Sequence, residues 1–152
     1  LTRSGLIYFS HDFVRNGVEQ EYVQIEQDKQ AAHEKLVAYL LKKENIRDND
    51  EQVSKRVIEE LPWQLFQTKK WKDLSSLLAK PEVLEQAWDQ EKYDVLRYWS
   101  EIENHSSIRK PEIYREIIAY PNCYSIRYLE VCCQLFLETS GMKEAFPILE
   151  DL

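Results

Sequence analysis

The histidines and cysteines are the side chains whose types invite metal, nucleophilic or proton-transfer chemistry, and His11 is the best placed of them. It follows the apolar run Leu6-Ile7-Tyr8-Phe9 and Ser10, and it precedes Asp12 and an amphipathic segment in which Val14, Val18 and Tyr22 fall four apart. The pattern predicts a short buried strand, a turn carrying an exposed His, and a helix over about residues 11–23. Ser10 suits the N-cap, and Asp12 lies where the positive end of the helix dipole favours a carboxylate. A His at a helix start lies beside free N–H donors, which suits an anion. The same position also fits a His that caps its own helix or packs at a domain interface.

The other candidates lack partners of the right kind. His33-Glu34-Lys35 has no second His at helical zinc spacing, and His33 and His105 are expected in solvent. Glu59, Glu60, Glu101 and Glu103 read as surface carboxylates. Cys123, Cys132 and Cys133 are odd in number, two of them adjacent, which is a poor disulfide framework. They imply a reducing, cytoplasmic setting and core or near-core thiols. No CxxC pair and no GxxxxGK[ST] loop occurs, so the sequence holds neither a zinc ligand set nor a phosphate cradle. Trp63, Trp71, Trp88 and Trp99 share helical spacing with leucines, which favours hairpin core over a ligand surface. Lys69, Lys70 and Lys72 read as a solvated turn. Asn104-His105-Ser106 matches a glycosylation sequon, a triplet that arises readily by chance.

Composition sets the class. The chain has 152 residues, of which 43% are hydrophobic, with 4 Trp, 9 Tyr and only 3 Gly and 5 Pro. Such a chain can bury a core, and its few breakers and many helix formers predict an all-α fold. Net charge is −7. Residues 1–76 hold 12 basic and 13 acidic groups, while residues 77–152 hold 8 and 14. Neither half carries the basic face that nucleic acid requires, and no apolar run is long enough to span a membrane. The absent initiator Met and the abrupt first strand point to a piece of a longer protein.

These residues need helices to position them. Leu1 to Gly5 reads as a wing or turn. Gly17 within the first helix costs about 1 kcal/mol relative to Ala, and close packing on another element is one reason to keep it. A second helix is predicted from Asp28 to Lys43 with Ala32, Leu36, Tyr39 and Leu40 inward. A third runs from Asp50 to Thr68 on Val53, Val57, Leu61 and Leu65, and Pro62 either kinks it or opens a new helix. After the Lys69-Lys70 turn, Trp71 to Ala79 returns with Trp71, Leu74 and Leu78 inward, completing a hairpin. Pro81 to Asp89 and Lys92 to Glu103 form a second hairpin, with Tyr93, Leu96, Trp99 and Ile102 inward. A polar loop over 104–110, a helix from Pro111 to Ala119, a break at Tyr120-Pro121-Asn122, and helices from Ser125 to Glu138 and Met142 to Leu152 complete the series. Leu129, Cys132, Leu135 and Phe136 face the core in the first of these, and Ala145, Ile148, Leu149 and Leu152 are the apolar positions of the second.

Two strings carry a family resemblance. Phe9-x-His11-x-x-x-Arg15-Asn16-x-Val18 resembles the end of the winged-helix domain of NACHT-type (STAND) signalling ATPases. Glu60-Leu61-Pro62-Trp63-Gln64-Leu65, Trp71, Leu74, Leu78, Trp88, Lys92-Tyr93-Asp94 and Tyr98-Trp99 resemble the helical-hairpin region of the nephrocystin-like branch. The resemblance covers about residues 5–104. Arg15 and Asn16 depart from the Gln-Glu pair common in the family. The final pair, Leu129 to Leu152, resembles one tetratricopeptide repeat, with Gly141 at its turn and Ala145 in its second helix, one residue short of the usual spacing. What the resemblance implies is a winged-helix remnant over residues 1–26, followed over 27–152 by an α-solenoid of stacked, tetratricopeptide-like hairpins. It implies that His11 contacts the phosphate of ADP held by an upstream nucleotide-binding domain in cis. The parent chain would bind ADP or ATP, and this non-catalytic segment would couple that state to a downstream protein-interaction array. The competing reading is a plain helical-repeat scaffold with no nucleotide coupling, whose acidic second half favours a basic protein partner. Neither reading makes this segment an enzyme.

Overall fold

The computed structural model describes residues 2–3, 6–7, 17, 26–42, 55–139 and 142–149, and of the helix over 142–149 only some side chains. These residues are helical apart from connections and one strand pair, as the composition predicts. Strand β1 (Thr2–Arg3) pairs antiparallel with β2 (Leu6–Ile7), with Thr2 opposite Ile7 and Arg3 opposite Leu6. A strand was expected at Leu6, and its partner lies where a wing or turn was expected. His11 and the rest of the presumptive first helix, Gly17 excepted, lie outside the described residues, as do most of those that bear on a division after residue 26. Gly17 is helical and exposed, and a Cβ built on it meets nothing within 4 Å. Close packing therefore does not explain it.

The chain divides into two compact units, Leu1–Lys70 and Trp71–Leu152. In the first, α1 (Glu26–Leu40) packs on α2 (Lys55–Gln67). His33 of α1 meets Gln64 of α2, and Arg56 of α2 lies over the ring of Tyr39, so the two helices run antiparallel. The buried face of α1 is His33, Val37 and Leu40, one residue round from the expected stripe. Leu36 and Tyr39 remain 44% and 41% exposed. The polar partner explains the rotation: Gln64 is buried, and turning His33 inward satisfies its amide. Helix α2 buries Val57, Ile58, Leu61 and Leu65, and it continues through Pro62. Proline has no N–H, so the Ile58 carbonyl loses its usual intrahelical partner there.

The end of α2 is closed by a Schellman motif. Lys69 N–H donates to the Phe66 carbonyl at 3.1 Å and Lys70 N–H to the Leu65 carbonyl at 3.0 Å. The geometry places Lys69 at φ 54°, the left-handed region that favours glycine.

In the second unit, α3 (Trp71–Leu78) packs on α4 (Pro81–His105), α4 on α7 (Ile126–Glu138), and α7 on α8 (Met142–Leu149). Helix α8 also packs on α6 (Arg115–Ala119), which follows the single turn α5 (Lys110–Ile113). Helix α4 holds both helices expected over 81–103. They meet at one residue, Glu91, whose φ of −158° and ψ of 86° leave the helix. The helix expected from Pro111 is interrupted at Tyr114 (φ −95°, ψ 16°). A 3₁₀ turn at Pro121–Cys123 leads to Ser125, whose hydroxyl caps α7 by accepting from Tyr128 N–H at 3.2 Å.

Two backbone substitutions should stabilise the chain. Gly17→Ala in a helix with open space, and Lys69→Gly at a left-handed cap, should each add about 0.5–1 kcal/mol. Thermal unfolding followed by circular dichroism reads both, and an unchanged or lowered Tm for either would contradict the geometry described.

Candidate functional site

The core of the second unit is aromatic and tied to backbone. The rings of Trp99 and Tyr114 lie 5.5 Å apart, and Tyr114 meets Phe136 edge-on at 5.8 Å. Tyr114, at the interruption between α5 and α6, donates its hydroxyl to the Leu78 carbonyl at 3.1 Å. Tyr128 of α7 donates to the Ala79 carbonyl at 2.6 Å. Both acceptors lie at the C-terminal end of α3, where carbonyls have no intrahelical partner. Burial raises the pKa of both phenols far above the ordinary tyrosine range.

A polar seam runs alongside. Residues 85, 88, 89 and 92 of α4 follow helical spacing and meet α7 and its cap. Ser125 Oγ donates to Glu85 at 3.2 Å, Trp88 Nε1 to Gln134 at 3.1 Å, and Lys92 Nζ to Glu138 at 2.8 Å. Arg127 joins Asp89 across the seam and Glu130 on its own helix.

The stretch over 104–110, expected to be a polar loop, begins within α4 and is tightly organised. Lys110 is buried against Glu103, with its ammonium 5.7 Å from the centre of the Trp99 ring. Lys110 N–H donates to Glu103 Oε1 at 3.0 Å. Arg109 Nη1 donates to the Glu103 and Ser106 carbonyls at 3.2 and 2.9 Å, closing the end of α4.

Several sequence-level candidates change character. His33 is half-buried rather than solvated, with Nδ1 at 2.6 Å from Gln64 Oε1. Gln64 turns its amide nitrogen to Glu60 Oε2 at 3.4 Å and its oxygen to the ring. Glu103 is a half-buried anchor, not a surface carboxylate. His105 is exposed and pairs with Glu101 at 3.3 Å. Cys132 and Cys133 are core thiols as expected, and burial pushes Cys132 up to about 12. Cys123 is exposed on the 3₁₀ turn. Trp88 and Trp99 are core, while Trp63 is 38% exposed and stacks on Phe66, and half-buried Trp71 stacks on His105. Tyr93, expected inward, is 67% exposed beside Lys92. Leu149 is also exposed, whereas Ala145 and Ile148 are buried.

Among the described residues, no group of three His, Cys, Asp or Glu side chains could hold a metal ion, and no helix is long and apolar enough to cross a membrane. What the geometry offers is a set of helices held by internal bonds, with apolar and acidic side chains left on the surface. Sequence reasoning missed both tyrosine–carbonyl bonds and the Lys110–Glu103 pair. Their partners lie 36, 49 and 7 residues apart, and no two of them share a helix.

No family model matches the chain, and no solved structure matches it. It is similar to a TPR repeat-containing protein of Dictyostelium discoideum, 24% identical over 140 residues. That alignment takes in 91% of this chain and 8% of the relative, so the chain spans about a twelfth of that protein's length.

The buried phenols predict alkaline sensitivity. Their pKa is raised in the folded state, so their contribution is complete below the unfolded tyrosine value of about 10 and is lost as pH rises above it. Denaturant unfolding across that range should show stability falling with pH. The double variant Tyr114→Phe, Tyr128→Phe should lose about 1 kcal/mol per hydrogen bond at pH 7 and show a shallower alkaline decline. An unchanged slope would remove the phenols from this role.

Proposed function

We propose that this segment is a non-catalytic helical-repeat scaffold that binds a protein partner in the cytoplasm. The observation that carries the reading is the similarity to a TPR repeat-containing protein along nearly the whole chain. The antiparallel pair α1–α2 and the packed pair α7–α8 supply the kind of unit such arrays stack. Ala145, which the tetratricopeptide resemblance puts in the second helix of its repeat, is fully buried in α8. The net charge of −7 favours a basic partner.

Affinity capture with the whole chain, followed by titration of each purified candidate, tests the reading. A basic protein that binds the purified chain with micromolar or tighter affinity, more weakly at high salt, is the expected result. Binding of ADP or ATP by this chain, with no protein partner surviving purification, would contradict it.

The NACHT-type resemblance adds a finer proposal, which concerns a longer chain. There His11 would hold the phosphate of ADP bound by an upstream domain, and the helical pairs would carry the nucleotide state onward. The β1–β2 pairing just before His11 is compatible with a wing at that place. If so, His11→Ala in a chain that includes the upstream region speeds ADP release by about ten-fold or more. Unchanged release, or no bound nucleotide, would make His11 structural.

A further inference from the structure

The sequence between α6 and α7, Tyr120-Pro121-Asn122-Cys123-Tyr124-Ser125-Ile126, forms a knuckle that exposes large apolar side chains on a fixed backbone. Tyr120 and Ile126 are 67% and 66% exposed. Mobile loops that expose such groups must be ordered on binding, at an entropic cost; this one is already ordered. Cys123 N–H donates to the Tyr120 carbonyl at 3.1 Å, and Tyr124 N–H to the Pro121 carbonyl at 2.9 Å. Ser125 caps α7, and the ring of Tyr124 lies 5.7 Å from that of Tyr128, itself held by the Ala79 carbonyl.

Carboxylates border the knuckle. Glu116 lies one helical turn before Tyr120, and its carbonyl accepts from Tyr120 N–H at 2.9 Å. Its charge also helps to raise the Tyr124 phenol, after burial. Glu85 reaches the knuckle from α4 through Ser125. Of the nearby cations, Arg127 is held between Asp89 and Glu130, leaving that group net negative. Arg115 and Lys80 are exposed, on α6 and just before α4. An apolar surface edged by carboxylates complements an apolar side chain next to a cation. A second copy of this chain fits poorly, because each copy carries −7.

We propose that the Tyr120–Ile126 knuckle, with Glu85 and Glu116, is a docking surface for a peptide segment bearing a Lys or Arg beside an apolar side chain. This rests on the scaffold reading and names where and how it binds. The cation lies against Glu116 and Glu85, and the apolar side chain covers Ile126 and Tyr120.

Selection of a phage-displayed random-peptide library against the whole chain tests it, with the enriched peptides then measured by fluorescence polarisation. The expected peptides pair Lys or Arg with an aliphatic or aromatic residue. Ile126→Ser and Glu116→Lys, both on the surface, should each weaken binding about five-fold or more while leaving the helical circular dichroism unchanged. Peptides without a cation overturn the proposal. So do cationic peptides whose binding ignores both variants, although the scaffold reading then survives with another surface. A dimer in sedimentation that Ile126→Ser dissociates would assign the knuckle to self-association instead. A selection that enriches nothing counts against both the knuckle and the scaffold.

Discussion

Every α-helix ends with carbonyls that have no partner inside it, and a short helix has little else to hold it. Helix α3 has eight residues, Trp71–Leu78. Its terminal carbonyls at Leu78 and Ala79 are met by the hydroxyls of Tyr114 and Tyr128, which come from distant parts of the chain. Each bond contributes only about 1 kcal/mol, but leaving either buried group unmade costs more. The two bonds tie α3 to the α5–α6 turn and to α7, while the Trp99, Tyr114 and Phe136 rings fill the space between. The short helices on either side of Tyr114 hold their places through this arrangement.

Much of the helical plan is legible in the sequence because it is local. The apolar spacing of Leu129, Cys132, Leu135 and Phe136 gives the buried face of α7, and Ser125 marks its start. The same spacing misleads on α1, where Ala32, Leu36 and Tyr39 look inward but His33 turns in to meet Gln64. A hydrophobic count has no means of registering a buried amide on another helix. Tyr93 fails because a spacing of three drifts round a helix of about 3.6 residues per turn, which carries it off the buried face of Val95, Tyr98, Trp99 and Ile102. The Lys110–Glu103 anchor was equally hidden, since a lysine before a proline in a polar stretch reads as loop.

The candidate site was less legible than the fold. The sequence marks His11 by its place at a predicted helix start, and that residue falls outside those described. The surface that the structure offers instead depends on the 3₁₀ turn, the Ser125 cap and the approach of Glu85 from α4, none of which a linear pattern specifies. What the sequence does carry is the acidic balance of the second half, and this is the property that gives the knuckle its preference for a cation.

If the tyrosine bonds hold α3 through its carbonyl end, residues 71–139 behave as one cooperative body. Native-state hydrogen exchange on the whole chain measures this directly. The amides of α3 should open together with those of α7, at the same free energy and with the same denaturant dependence. Exchange of α3 at a much lower free energy, while α7 stays protected, would show that the tyrosine bonds do not hold it.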